Sequence, residues 1–203
     1  MSGNSPGRVQ HSLRRATAAA HHALDHHPLM QRLTGSDLTR ELYAESLAAM
    51  YRPHTRLERR VHQSSHHFES GLKLSARVDL LEEDLVELGW PVLPDSHIQT
   101  DLLEGHASWC GWVYVLEGSR LGSAVIARRI HASLGDTVPC RFLGETVVTR
   151  ERDALLAMLE RELEANDELE QAVSGARAAF ADYTAGLEAF DGGSPTSNYG
   201  RGH

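Results

Sequence analysis

Apolar side chains recur every three or four residues almost from one end of this chain to the other, and alternation with period two is nearly absent. That spacing gives each segment the single apolar stripe of an α-helix and leaves no alternating face for a half-buried sheet. The expected architecture is an all-α single domain of six to eight helices, each hiding its stripe against the others. From Ser12 to Asp25 the stripe is Leu13, Thr17, Ala20 and Leu24, and His21 falls on it. Ser36-Asp37 should cap a long helix whose face runs through Leu38, Leu42, Leu47, Met50, Tyr51, His54, Leu57 and Val61. Pro53 should kink that helix without ending it, because the periodicity continues beyond. Ser65 to Gly71 is a break, Ser75 to Leu88 a third helix, and Pro91 to His97 a loop. Leu102 to about Leu134 is helical by pattern, although glycines interrupt it, and Gly135 to Gly144 is a turn region. Thr149 to Asn166 and Glu168 to Phe190 are two further amphipathic helices.

The 203 residues suffice for one domain with a sizeable core. Residues 1–10 are expected to be a flexible N-terminus, 11–191 the folded domain, and 192–203, rich in Gly, Ser, Pro and Asn, a disordered tail. Twenty Lys and Arg against 28 Asp and Glu give a net charge of −8. A mildly acidic chain is poorly suited to nucleic acid or to anionic lipid. No apolar run is long enough to span a bilayer, and Met1 to Gln10 is polar with no apolar stretch behind it, which argues against a signal peptide. Two cysteines, Cys110 and Cys140, make neither a disulfide framework nor a four-thiolate zinc site, and are expected to be reduced thiols in the cytoplasm.

Thirteen histidines stand out, but several come as adjacent pairs (His21/His22, His26/His27, His66/His67) that cannot share one helix face. Four constellations have chemical potential. Arg14 and Thr17 stand seven and four residues before His21 on one helical face, with Arg14 about 10 Å from His21 along the axis. His21 can ligate a metal through one ring nitrogen and Arg14 can pair with an anion on the same ligand, or the two can be a core histidine and a solvated arginine. Gly111, Gly118 and Gly122 fall on one face of the long central helix, in the stretch from Gly111 to Ser123. Glycine there costs about 1 kcal/mol relative to alanine. What approaches that bare backbone is either another helix or a flat ligand. Arg128 and Arg129 beyond it could hold carboxylates or dock a partner. Glu58 and His62, four apart, have the spacing used in di-iron helical bundles, but no second clean pair accompanies them. Phosphate-loop, G-x-S-x-G and H-E-x-x-H motifs are absent, so nucleotide binding and triad hydrolysis have no support.

Taken together these residues resemble the haem oxygenases, with the bacterial branch that accompanies bacteriophytochromes nearest. The carriers are Leu13 to His21 with its Thr-x-x-x-His element, Tyr114 to Arg129 as a glycine-bent distal helix, and Ala178 to Tyr183 with its aromatic. They occur in the family's order, from about Leu13 to Phe190. The resemblance implies that His21 ligates the haem iron and that Arg14, Tyr114 and Arg129 meet the propionates. It further implies that Thr17 belongs to the ligand element, that Gly118 and Gly122 let the ring approach the distal backbone, and that Phe180 lines the pocket. Ser119 stands where mammalian-type members have an aspartate that organises water, and Ser123 where a third glycine is common. The implied reaction takes haem, O₂ and electrons from a separate redox protein, a ferredoxin or reductase, to biliverdin, CO and ferrous iron. A bacteriophytochrome is an implied receiver of biliverdin, and Arg128, Arg59 and Arg60 are candidates for the docking face. The alternatives are a haem-binding sensor on the same scaffold, a di-iron oxidase built on Glu58 and His62, and a purely structural partner-binding domain.

Overall fold

A computed structural model of the chain describes residues 7–68, 72, 74–90, 92, 98, 100–145 and 149–191. Among these residues there are eight helices and no strand. They are α1 (Arg8–Asp25), α2 (Pro28–Arg32), α3 (Arg40–Ser65), α4 (Val78–Glu87), α5 (His106–Leu134), α6 (Arg141–Gly144), α7 (Thr149–Glu162) and α8 (Asn166–Glu188). The all-α expectation holds. The segments 1–6, 93–97 and 192–203, which carry most of the expected tails and loop, lie outside the described residues.

Where the helix boundaries differ from the expected ones, either a tertiary partner or a local cap or glycine is the reason. α1 begins at Arg8, inside the stretch expected to be flexible, and Val9 is buried one turn before Leu13 on the same stripe. The carboxylate of Glu160 on α7 accepts from the Val9 and Gln10 amides at 3.2 and 3.0 Å, replacing the local cap that the sequence lacks. Arg8 reaches back to the carbonyls of Leu163 and Glu164 at the end of α7. α3 starts at Arg40, capped by Thr39, whose hydroxyl accepts from the Leu42 amide; Ser36 and Asp37 instead bond to each other in the preceding turn. The one-turn helix α6 sits within the expected turn region because Asp84, buried on α4, accepts from the backbone amides of Arg141 and Phe142 at 3.0 and 2.9 Å. α5 begins at His106, four residues later than expected, after Gly105 at φ 81°, and it stops at Gly135, at φ 88°.

α5 is the central helix and packs most extensively on α8, which also carries α1 and α3 on its other sides. The two helices touch backbone to backbone. A Cβ on Gly111 would lie 2.0 Å from the Ala172 carbonyl oxygen, and one on Gly175 would lie 2.3 Å from that of Ser108. α3 runs continuously through Pro53, whose ring fills the space left by Gly186 of α8. Trp109 is fully buried and its indole N–H donates to the Val61 carbonyl at 3.0 Å, fastening α5 to α3.

Because the obstruction at Gly111 is backbone and cannot rotate away, Gly111→Ala should cost about 3 kcal/mol in urea unfolding, at the upper end of overpacking penalties. A loss below about 1 kcal/mol would mean that the crossing is looser than described.

Candidate functional site

Three helices converge on the residues singled out in the sequence. On α1 the Leu13–Thr17 stripe is buried and the Thr17 hydroxyl donates to the Leu13 carbonyl at 2.8 Å. His21, one turn further, is not a core residue: its side chain is 63% exposed. Its Nδ1 lies 2.8 Å from Oδ2 of Asp25, one turn on. With the proton on Nδ1 and donated to that carboxylate, Nε2 presents its lone pair outward, the arrangement that orients and strengthens a metal-ligating imidazole. Asp25 is legible in the sequence as a carboxylate four residues beyond His21 on the same helical face. Phe180 of α8, itself buried, meets the His21 ring edge-on at 5.9 Å between centroids.

Tyr114 joins α5 to α1. It is half-buried, and its hydroxyl interacts with the Thr17 side chain within the field of Arg14. Burial pushes the phenol upward from its ordinary pKa, and Thr17 and Arg14 only partly offset it, so Tyr114 stays protonated at neutral pH. Arg14, Thr17, His21, Tyr114 and Phe180 thus belong to one neighbourhood.

The glycine face of α5 divides in two. Gly111 is buried against α8, so there the approaching object is a helix. At Gly118 and Gly122 a Cβ would meet nothing within 4 Å. Leu121 and Val125, on the adjoining turns, are 48% and 47% exposed. A strip of uncovered backbone flanked by exposed apolar side chains is unusual on a helix whose other half is deeply buried. Arg129 is exposed two turns beyond Gly122 on the same face. Two surface depressions, of about 510 Å³ beside Leu80, Val138 and Arg141 and about 410 Å³ between Pro28 and Leu42, contain none of these residues.

Ser119 and Ser123 turn their hydroxyls back on their own helix, donating to the carbonyls of Leu116 and Ser119 at 2.7 and 2.9 Å. Ser119 Oγ also accepts from Nη2 of Arg77 at 2.7 Å. Arg77 is fully buried, a position the sequence did not single out: the pattern places it in the first turn of a helix from Ser75, but α4 begins at Val78, and no spacing rule marks such an arginine as internal. Around it stand Glu145 at 3.6 Å, the Phe142 ring at 5.0 Å, and Glu117, which pairs with buried Arg120 at 3.0 Å. Arg120 also reaches Glu145 and Glu151. Glu58 accepts from the Arg77 backbone amide at 2.7 Å and lies 3.4 Å from Nε2 of His54.

The Glu58–His62 pair is therefore engaged elsewhere: Glu58 holds Arg77, and His62 faces the Ser75 carbonyl at 2.9 Å. Among the described residues no cluster of three or more histidine, cysteine or acidic side chains has metal-site geometry. Cys110 and Cys140 are free and buried. Of the arginines considered for docking, Arg128 is exposed, whereas Arg60 lies over the Trp112 ring and donates to the Asp101 carbonyl, and Arg59 donates to that of Ile98.

Burial holds His54 neutral, its pKa well below the usual 6.5, with Arg77 reinforcing the effect against Glu58. Burial alone would raise Glu58, but His54 and the Arg77 and Val78 amides outweigh it and leave its pKa below 4.5. Unfolded chains take up a proton at His54 near pH 6.5, which native chains resist, so native stability falls as pH drops below about 6.5. The contribution of Glu58, present above about pH 4.5, is lost at more acid pH, through its folded-state pKa. His54→Gln should flatten the stability profile between pH 7.5 and 5.5 in urea titrations. An unchanged slope would place the acid sensitivity elsewhere.

No protein-family model matches the chain. A protein named heme oxygenase from Xanthomonas campestris pv. campestris (strain 8004) is 33% identical over 126 residues, 56% of this chain and 68% of that one. The heme oxygenase of Neisseria meningitidis, solved with NO and CO bound, superposes with a TM-score of 0.67 at 22% identity, covering 89% of this chain and 90% of that chain. The heme oxygenase of Leptospira interrogans gives the same TM-score at 14% identity, covering 89% and 98%. Among the described residues no helix is long and apolar enough to cross a membrane. An all-α fold shared with two solved heme oxygenases, together with a relative matched over two thirds of its length, assigns this chain to the haem oxygenase family of haem-degrading enzymes.

Proposed function

We propose that the chain opens haem to biliverdin, CO and ferrous iron, using O₂ and electrons delivered by a separate redox protein. The observation that carries this reading is the divided glycine face of α5: packed at Gly111, uncovered at Gly118 and Gly122. A porphyrin is flat and apolar over most of its area, and a helix without Cβ atoms offers it a close, flat wall. Haem is the substrate, and its iron supplies the site where O₂ is reduced and activated.

The residues present fit it. His21 offers Nε2 to the iron while Asp25 holds Nδ1, and a neutral imidazole is the ligand this chemistry uses in place of a thiolate. Phe180 packs edge-on against that imidazole, and Thr17, anchored to Leu13 and Tyr114, sets the phase of α1 beneath it. Arg14 and Arg129 supply cations for the two propionates, with the protonated Tyr114 as a neutral donor on the Arg14 side. Leu121 and Val125 cover apolar ring edge. Gly118, Ser119 and Gly122 would form the surface facing the ring across from His21, with bare backbone at the two glycines, and its shape would limit which edge of the ring is open to attack. No acid–base triad is needed, since the substrate carries its own redox centre.

Arg128, exposed one residue before Arg129, remains a docking candidate for the electron donor. A bacteriophytochrome taking biliverdin as chromophore is the consumer that the resemblance implies.

Haemin titration followed by absorption spectroscopy tests this reading. Wild type should form a saturable complex with the spectrum of a histidine-ligated haem, and adding ascorbate or a ferredoxin system in air should convert it to biliverdin. His21→Ala should lose the histidine-type spectrum and at least 100-fold in turnover. Gly118→Leu, whose Cβ would meet no atom from beyond its own stretch of helix within 4 Å, should fold with undiminished stability and bind haemin at least tenfold more weakly. A stable His21-dependent complex that never yields biliverdin would make the protein a haem carrier. Absence of a saturable complex would end the proposal.

A further inference from the structure

A fully buried arginine is expensive unless something is gained from it. Arg77 does not sit in a balanced core pair. Its closest ionic contact, to Glu145, is 3.6 Å, and its Nε and Nη1 have no hydrogen-bond partner among the described residues. Its one short side-chain hydrogen bond, 2.7 Å, goes to Ser119, the residue after Gly118. The other end of Arg77 is equally fixed, because its backbone amide donates to Glu58 on α3 at 2.7 Å. A rigid strut therefore runs from α3 through Arg77 to the uncovered part of α5.

Its landing point matters. Ser119 Oγ accepts from Arg77 and donates to the Leu116 carbonyl, and Ser123 Oγ donates to the Ser119 carbonyl. Hydroxyl bonds of this kind to a carbonyl one turn back loosen and bend a helix. Here they bracket Gly118 and Gly122, which have no side chain to resist bending. A hydroxyl whose lone pair is taken by a buried guanidinium has its rotor fixed, with its proton directed at Leu116. Both serines that depart from the residues more usual in the family belong to this one device.

We propose that Arg77 is a positioning residue: through Ser119 it sets the curvature of α5 at Gly118–Gly122, and so the distance and tilt of the bare backbone over the haem face. It touches no reacting atom. The inference rests on the reading of that face as the distal wall, but the clamp itself is a property of the haem-free chain and can be measured there.

Two variants test it. Arg77→Met keeps length and removes the donor, and replacing a buried ion by an apolar residue is often tolerated. Ser119→Ala removes the acceptor at a partly exposed position and covers the case in which Arg77→Met fails to fold. Amide hydrogen exchange of the haem-free protein should quicken at least tenfold across residues 116–123 in both variants, with α8 amides unchanged. In the haemin complex, the ratio of biliverdin isomers should shift in both, and Ser119→Thr, which keeps the hydroxyl, should restore the wild-type ratio and exchange rates. Unchanged exchange in 116–123, or an equal increase throughout the molecule, would overturn the clamp. Local quickening with an unchanged isomer ratio would overturn its role in positioning. Should wild type fail to form biliverdin, the functional reading falls, while the exchange data still decide whether Arg77 holds α5.

Discussion

The crossing of α5 over α8 is the constraint on which the rest of the molecule depends. At Gly111 and Gly175 the two helices meet at a separation that no other side chain permits, so the early half of α5 has one position and one rotation. That rotation decides what the later half can do. Gly118 and Gly122 continue the face of Gly111 along the helix, but α8 no longer covers them, and the face that buries backbone in one half exposes it in the other. A feature that looks like a packing motif is thereby also a wall. The cost of glycine within a helix, about 1 kcal/mol at each position, is offset by contact in the first half and is left uncompensated in the second. An uncompensated local cost is a reasonable marker of function.

The opposite side of α5 has the reverse character. There two buried arginines, Arg77 and Arg120, are enclosed by Glu117, Glu145 and Glu151, with Glu58 holding the Arg77 backbone. Such a network contributes little net stability, since desolvation consumes most of the attraction, but it tolerates few alternative geometries. An apolar core would let a glycine-rich helix slide and flex, whereas directional hydrogen bonds from Arg77 hold Ser119 at one distance. The soft, open face is backed by a stiff, charged one.

Much of this was legible in the sequence, and the gaps have a common origin. The long helices follow from the spacing of apolar residues, and the Thr17–His21 and Gly118–Gly122 pairs stand out because their meaning is carried by intervals along one helix. What escaped depends on partners distant in sequence. α1 starts early because Glu160 caps it from α7, and α6 forms because Asp84 caps it from α4. His21 lies on the apolar stripe by interval but its side chain is largely exposed, touched at its edge by Phe180 and held by Asp25. Gly111 and Gly118 are equivalent by interval, and only the course of α8 tells them apart. Arg77 carried no signal at all: it falls in the first turn of the helix expected from Ser75, where an arginine reads as solvent-facing, whereas α4 starts only at Val78 and the fold closes over Arg77.

The most direct test of the account is a crystal structure of the haemin complex. The account predicts iron bonded to Nε2 of His21, Asp25 still on Nδ1, and the porphyrin face in van der Waals contact with the backbone of Gly118 and Gly122. Haemin held by another of the thirteen histidines, or lying away from the uncovered half of α5, would contradict it.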